Sequence, residues 1–215
     1  MMLHDILHFL GQALCHQLEE RSLQVSGRSL AVCARDTGIY IGIFSTLIYL
    51  HVSKRKQSIT IPSIKTSFTL LLFLVPLIID GLGSYTHLFE STNPRRLVTG
   101  IFFGFVLPYF IYPLLSKKHH EHDSIAVIRK GQDLFIPLMV SVIWGGLFYL
   151  GLLPHMVLDS FIILSVIGWF SLLASFFFPF IRKPSLKYSL SIMVSLTFLS
   201  LLSFAHFWVS SLAMN

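Results

Sequence analysis

The sequence predicts an all-α integral membrane protein, a bundle of about six transmembrane helices behind an N-terminal amphipathic or re-entrant helix. Three observations predict it. Only 12% of the 215 residues are charged, against roughly 25% in a soluble domain. Hydrophobic residues make up 54%, with 20 Phe, leaving too few polar groups to cover a water-facing surface. These apolar residues also gather into runs long enough to cross lipid, which composition alone does not require.

In residues 2–18, Leu3, Ile6, Leu7, Leu10 and Leu14 recur at helical spacing, with His4, Asp5, His8 and Gln12 between them. That is an amphipathic helix, placed in the interface or as a re-entrant piece. Met1 to Phe9 carries no Lys or Arg and so lacks the basic start of a cleavable signal peptide. A first span runs near 37–52; it is short, and extends backwards through Leu30, Ala31 and Val32. Five further runs lie near 67–85, 97–115, 133–153, 157–181 and 188–212, each close to the roughly 20 residues a bilayer core requires. Pro76, Pro108, Pro137 and Pro179 fall inside these runs, where proline kinks a helix and neighbouring spans tolerate it. The whole reads as one membrane domain. It comprises a motif segment (1–36), motif-bearing helices (37–115), a cytoplasmic loop (116–132) and C-terminal helices (133–215).

The net charge of +6 forms no single basic face, so a nucleic-acid partner is not expected. Eleven of the 16 basic residues sit in three alternate loops: Lys54, Arg55, Lys56 and Lys65; Lys117, Lys118, Arg129 and Lys130; Arg182, Lys183 and Lys187. These loops are expected to be cytoplasmic, in a bacterial-type plasma membrane. The other five, Arg21, Arg28, Arg35, Arg95 and Arg96, then fall outside, where few are expected.

Three polar stretches interrupt the apolar background, and this topology brings all three to the extracytoplasmic side. They are Cys15-His16-Gln17 with Glu20-Arg21-Ser22, Cys33-Ala34-Arg35-Asp36-Thr37-Gly38-Ile39-Tyr40 with Gly42, and Asp80-Gly81 with Ser91-Thr92-Asn93-Pro94-Arg95-Arg96, Thr99, Gly100 and Gly104. Asp80 lies roughly 7–8 Å inside its span by the helical rise. An ionisable group at that depth is a functional candidate with a partner expected, here a base or a support for a ligand set.

Over residues 10–110 these motifs, in this order, resemble the predicted membrane proteins of domain of unknown function family 2085. The resemblance implies a shared membrane fold and supplies no activity. The family pattern usually reads Cys-Ala-Arg-Cys where this chain has Asp36. Losing one sulfur ends a dithiol mechanism within that motif, whereas a carboxylate can still ligate zinc. Cys15, His16, Cys33 and Asp36 are therefore candidate ligands for one zinc or similar divalent ion, with Asp80 as an outer partner of those ligands or a base. Neighbours on a helix point about 100° apart, so Cys15 and His16 can share an ion only if the helix has ended before them. A Cys15–Cys33 disulfide and a pair of inert thiols stay open beside the metal.

Arg21, Arg35, Arg95 and Arg96 suit a phosphate or carboxylate, such as an anionic lipid or lipid-linked ligand. Pairing with Glu19, Glu20, Asp36, Asp80 or Glu90 is the stronger reading of them. Gln17, Thr37, Tyr40 and Asn93 support the motifs. The His-rich tract from Lys117 to Asp123 reads as a solvated loop. His155, Asp159 and His206, near outer span ends, either complete a site or meet headgroups. No P-loop, dinucleotide fingerprint, zincin helix or Gly-x-Ser-x-Gly occurs. A transporter or channel subunit and a non-catalytic assembly factor remain the rival functional classes.

Overall fold

The computed structural model describes residues 2–54, 59–115, 125–181 and 183–213. Arg55, Lys56, Arg182 and the Lys117–Asp123 tract lie outside the described residues. In chain order the elements are α1 (Met2–Gln12), β1 (Ser22–Val25), β2 (Arg28–Cys33), α2 (Ala34–Lys54), β3 (Ile59–Thr60), α3 (Ile64–Leu72), α4 (Val75–Tyr85), α5 (Asn93–Leu115), β4 (Ile125–Ala126), α6 (Gln132–Tyr149), α7 (His155–Ala174) and α8 (Pro184–Ala213). Among the described residues, five helical stretches are long and apolar enough to cross a membrane: Ile64–Tyr85, Asn93–Leu115, Gln132–Tyr149, His155–Phe177 and Pro184–Val209. The protein is an all-α membrane bundle.

The sixth expected span coincides with α2. It is 21 residues long, but Thr37, Ser45, Thr46 and His51 dilute its apolar run, and it is not among the five. Its backward extension is corrected: Leu30, Ala31 and Val32 belong to strand β2. The hairpin closes through Ser26 and Gly27, with φ of 52° and 74°, the pair of positive values a two-residue type I′ turn requires. The Ile64–Tyr85 span is broken between α3 and α4, where Pro76 in the first turn of α4 supplies no amide hydrogen to the preceding turn. Pro108 and Pro137 lie inside α5 and α6. Pro179, expected inside a span, instead lies beyond the 3₁₀ turn Ser175–Phe177 that ends the α7 stretch.

The chain divides into two compact units, Met1–Asp36 with Gly151–Asn215, and Thr37–Leu150. In the first, α1 packs on α7, α8 and β2. Leu7 and Leu10 are buried, whereas Leu3 and Ile6 are exposed, as an interfacial amphipathic helix would present them. The Ser203 hydroxyl on α8 donates to the Phe9 carbonyl at 2.6 Å, and Phe9 meets Phe204 edge-on.

In the second unit, Gly38 and Gly42 on α2 face Leu97 and Ile101 on α5, and Gly104 on α5 faces Ile39 on α2. A Cβ at any of the three would overlap the opposing backbone. Gly38 and Gly42, one turn apart on α2, with Gly104 on α5, give the small-residue packing that membrane helices use where hydrophobicity cannot drive association. Thr46, a further turn along, donates to the Phe105 carbonyl at 3.2 Å. Below the crossing Leu50, Ile59, Leu70, Phe105, Val106, Tyr109 and Val127 form a buried cluster.

Replacing Gly104 by Ala should therefore cost about 1–3 kcal/mol through forced separation of α2 and α5. Gly168→Ala, on an α7 face with nothing near the added methyl, is the control. Thermal unfolding in mild detergent measures both; equal melting temperatures would remove the close crossing as a stabilising contact.

Candidate functional site

The first site begins where α1 stops. The Cys15 amide still bonds back to the Gly11 carbonyl at 3.2 Å, and by Gln17 the backbone has a φ of 52°. A side chain at Gly11 would overlap the Ala31 carbonyl, so this glycine lets the end of α1 sit against β2. The Gln17 amide fixes the turn by donating to the His8 and Ala31 carbonyls, each at 2.7 Å. Cys15 thereby reaches Cys33 at the end of β2, and Asp36 sits beyond it in the first turn of α2. One ligand atom from each of Cys15, Cys33 and Asp36 lies within 4.8 Å of the others. The Cys33 thiol donates to Asp36 Oδ2 at 3.2 Å.

Both cysteines are thiols outside any disulfide, and they are electrostatically unequal. A hydrogen bond from Cys33 holds the Cys15 thiol down to about 7, against the opposing effect of burial. Cys33 moves the other way: its bond to Cys15 and its burial push it far up. One thiol of the pair thus ionises near neutrality and the other keeps its proton. Burial raises the Asp36 carboxyl above its ordinary value, against the Cys33 hydrogen bond and the neighbouring Arg35 charge, which both favour the carboxylate.

The helix has ended before Cys15, as an ion shared with His16 would need, but the His16 ring meets His206 edge-on at 4.5 Å. Arg21, expected as an anion binder, pairs with Glu20 at 3.3 Å, both exposed. Thr37 and Tyr40 are buried on α2.

Asp80, Asn93, Arg95 and Arg96 belong to the second unit. Asp80 is fully buried on α4. Its Oδ1 accepts from the Ser91 hydroxyl at 2.6 Å and pairs with Arg95 Nε at 3.1 Å. The Arg95 guanidinium lies over the Phe89 ring, 4.1 Å from its centre, and that ring presses on Gly83. Asn93 and Arg96 sit in the first turn of α5, with Arg96 buried. The partner expected for Asp80 is present, in an arrangement that ties the 86–92 loop to α4 and α5.

Two groupings are not assembled by the sequence, although His155 and Asp159 figure there as residues that complete a site or meet headgroups. In the second unit Asp133 opens α6. Its carboxylate accepts from Tyr49 at 2.8 Å and from the Arg129 and Lys130 amides at 2.9 and 3.0 Å, and pairs with Lys54 at 3.0 Å. In the first unit His4, His8, His155 and Asp159 bring one ligand atom each to within 4.8 Å of one another. The available signal was spacing: 4 and 8, and 155 and 159, are each one helical turn apart.

Comparison with known proteins bears on the first site. The family model described as "Predicted membrane protein (DUF2085)" matches residues 15–110. An uncharacterised protein of Methanocaldococcus jannaschii is 33% identical over 108 residues, half of this chain and 67% of that one. This chain belongs to the DUF2085 family. An uncharacterised protein of Methanothermobacter thermautotrophicus is 35% identical over 88 residues, 41% of this chain and 75% of that one. No solved structure matches. The DUF2085 match begins at Cys15 and takes in Cys33, Asp36, Asp80 and Arg95, whereas His4, His8, His155 and Asp159 lie outside it.

Alkylation of the metal-free protein should label Cys15 with a midpoint near pH 7, the thiolate and the rate rising together above it, while Cys33 stays slow. Mass spectrometry of each site across pH checks this; equal rates would contradict the thiol inequality. Arg95→Met should cost about 3 kcal/mol, because it removes a cation that pairs with the buried Asp80 carboxylate. Arg21→Met, at an exposed pair, should cost less than about 1 kcal/mol. Similar melting temperatures for the two variants would contradict the assignment of Asp80 and Arg95 as a clamp.

Proposed function

We propose that this DUF2085 protein binds a zinc-class divalent ion at Cys15, Cys33 and Asp36, on the extracytoplasmic face of the plasma membrane, and there holds an anionic headgroup-type ligand. The convergence of these three donors from three elements carries the reading. With both thiols and the carboxyl ionised the cluster would hold three negative charges, a state a dication compensates. Three protein ligands leave a tetrahedral ion one open position, which a water or an anionic oxygen can take. When bound, the ion supplies Lewis-acid polarisation of that oxygen. Asp36 and Cys33 share a proton in the free protein, which ion binding would release. The Arg35 charge, which already acts on Asp36, would add to the attraction for a phosphate or carboxylate. The orientation rests on the concentration of basic residues in the three alternate loops.

A second reading has its own support. The same two sulfurs adjoin one another and Cys15 ionises easily, so an oxidising exterior could join them as a disulfide. Metal analysis of protein purified in mild detergent distinguishes the two. About one ion per chain at this site, lost in both Cys33→Ser and Asp36→Ala, supports the metal. No thiol-dependent metal, with thiols labelled only after reduction, supports the disulfide, which Asp36→Ala would leave intact.

A further inference from the structure

We propose that His4, His8, His155 and Asp159 form a second metal site, separate from the thiol cluster, that takes one divalent transition ion of the zinc class and fastens α1 to α7. Each helix contributes a pair one turn apart, so each pair lies on one helix face. Both helices belong to the same compact unit, and one atom from each of the four residues falls within 4.8 Å of the others.

The surrounding bonds orient the donors inward. His155 Nε2 lies 3.0 Å from the Ser29 carbonyl. A carbonyl only accepts, so Nε2 carries the proton and the Nδ1 lone pair is left toward Asp159. Asp159 Oδ1 accepts from the Ala31 amide at 2.8 Å, leaving Oδ2 for the cluster. Strand β2 thus serves one histidine and the carboxylate in the way outer partners serve metal ligands. Three buried atoms, His8 Nε2, His155 Nδ1 and Asp159 Oδ2, have no hydrogen-bond partner among the described residues. They face one another: Oδ2 is 3.3 Å from His155 Nδ1 and 3.7 Å from His8 Nε2. The edge of a tetrahedron around zinc, with metal–nitrogen bonds of about 2.0 Å, is roughly 3.3 Å. His4 stacks on His8 with ring centres 4.2 Å apart, close enough to supply the fourth donor.

The donor chemistry selects the ion. Imidazoles suit zinc, cobalt, nickel or copper, whereas magnesium and calcium take oxygen donors. Three neutral imidazoles and one carboxylate leave a single positive charge on a bound dication. A protonated histidine beside Asp159 is the competing state. It would place a cation against two further imidazoles and leave at least one buried nitrogen without a bond. With all four positions filled by protein, this is a closed site, whose ion holds structure rather than reacting.

The test uses the full chain in mild detergent with Cys15→Ser and Cys33→Ser, which removes the thiol site, and Co²⁺ as the probe. The expected result is one Co²⁺ per chain with no thiolate charge-transfer band and a melting temperature raised by several degrees. Binding should be lost in His4→Ala and in His8→Ala, neither of whose side chains bonds to β2. Wild type should take two ions, falling to one with either set of substitutions. If Cys15→Ser, Cys33→Ser protein does not fold, the fall from two ions to one in His8→Ala decides alone. A folded thiol-free protein that binds no Co²⁺, binding indifferent to both histidine substitutions, or stabilisation by acid but not by metal would each overturn the proposal. Failure of the thiol site alone would leave wild type with one ion, dependent on histidine.

Discussion

At the close crossing of α2 and α5 in the second unit, backbone meets backbone. Helices in lipid gain nothing from hiding Leu or Phe from hydrocarbon, so they associate by backbone approach and by polar contacts. Gly38, Gly42 and Gly104 permit that approach. Thr46 uses it, placing its hydroxyl on a carbonyl of the opposite helix. The motif glycines are therefore packing residues.

A second constraint governs the first unit. A two-stranded hairpin beside apolar helices leaves backbone groups on its outer edge, and buried ones need partners. On β2 the Ala31 amide goes to Asp159, the Ala31 carbonyl to Gln17, and the Ser29 carbonyl to His155. These bonds do two things at once. They satisfy the strand, and they hold the side chains whose remaining donor atoms form the histidine cluster. Gln17 also fixes the turn that delivers Cys15, so both candidate metal sites lean on one strand.

How far the sequence reached depends on the range of the interaction. Span existence was legible because a run of about 20 apolar residues has few other solutions. Of the four donors the motifs name, Cys15, Cys33 and Asp36 come together, while the His16 ring meets His206. The hairpin was not legible. Leu30-Ala31-Val32 is a short apolar run that periodicity cannot assign, although Ser26-Gly27 is a turn signal. The histidine cluster was visible only in halves. Nothing local ties positions 4 and 8 to 155 and 159; the strand between them does so in three dimensions. Asp133 failed for the same reason, since its partners Tyr49 and Lys54 lie some 80 residues away.

The polar groups within the helices weigh on the choice between a surface site and a transmembrane path. A path needs hydroxyls and charges turned towards a shared lumen. Here Ser45, Ser141, Ser165, Ser191 and Thr197 each bond to the carbonyl four residues back on their own helix, which spends the hydroxyl locally. Ser195 instead reaches the Ile167 carbonyl on α7, joining two helices. The Asp133 carboxylate accepts from a phenol and two amides while facing an ammonium, and such a carboxylate has little capacity left for a passing ion. In the first unit His8 Nε2, His155 Nδ1 and Asp159 Oδ2 face one another with no hydrogen-bond partner among the described residues.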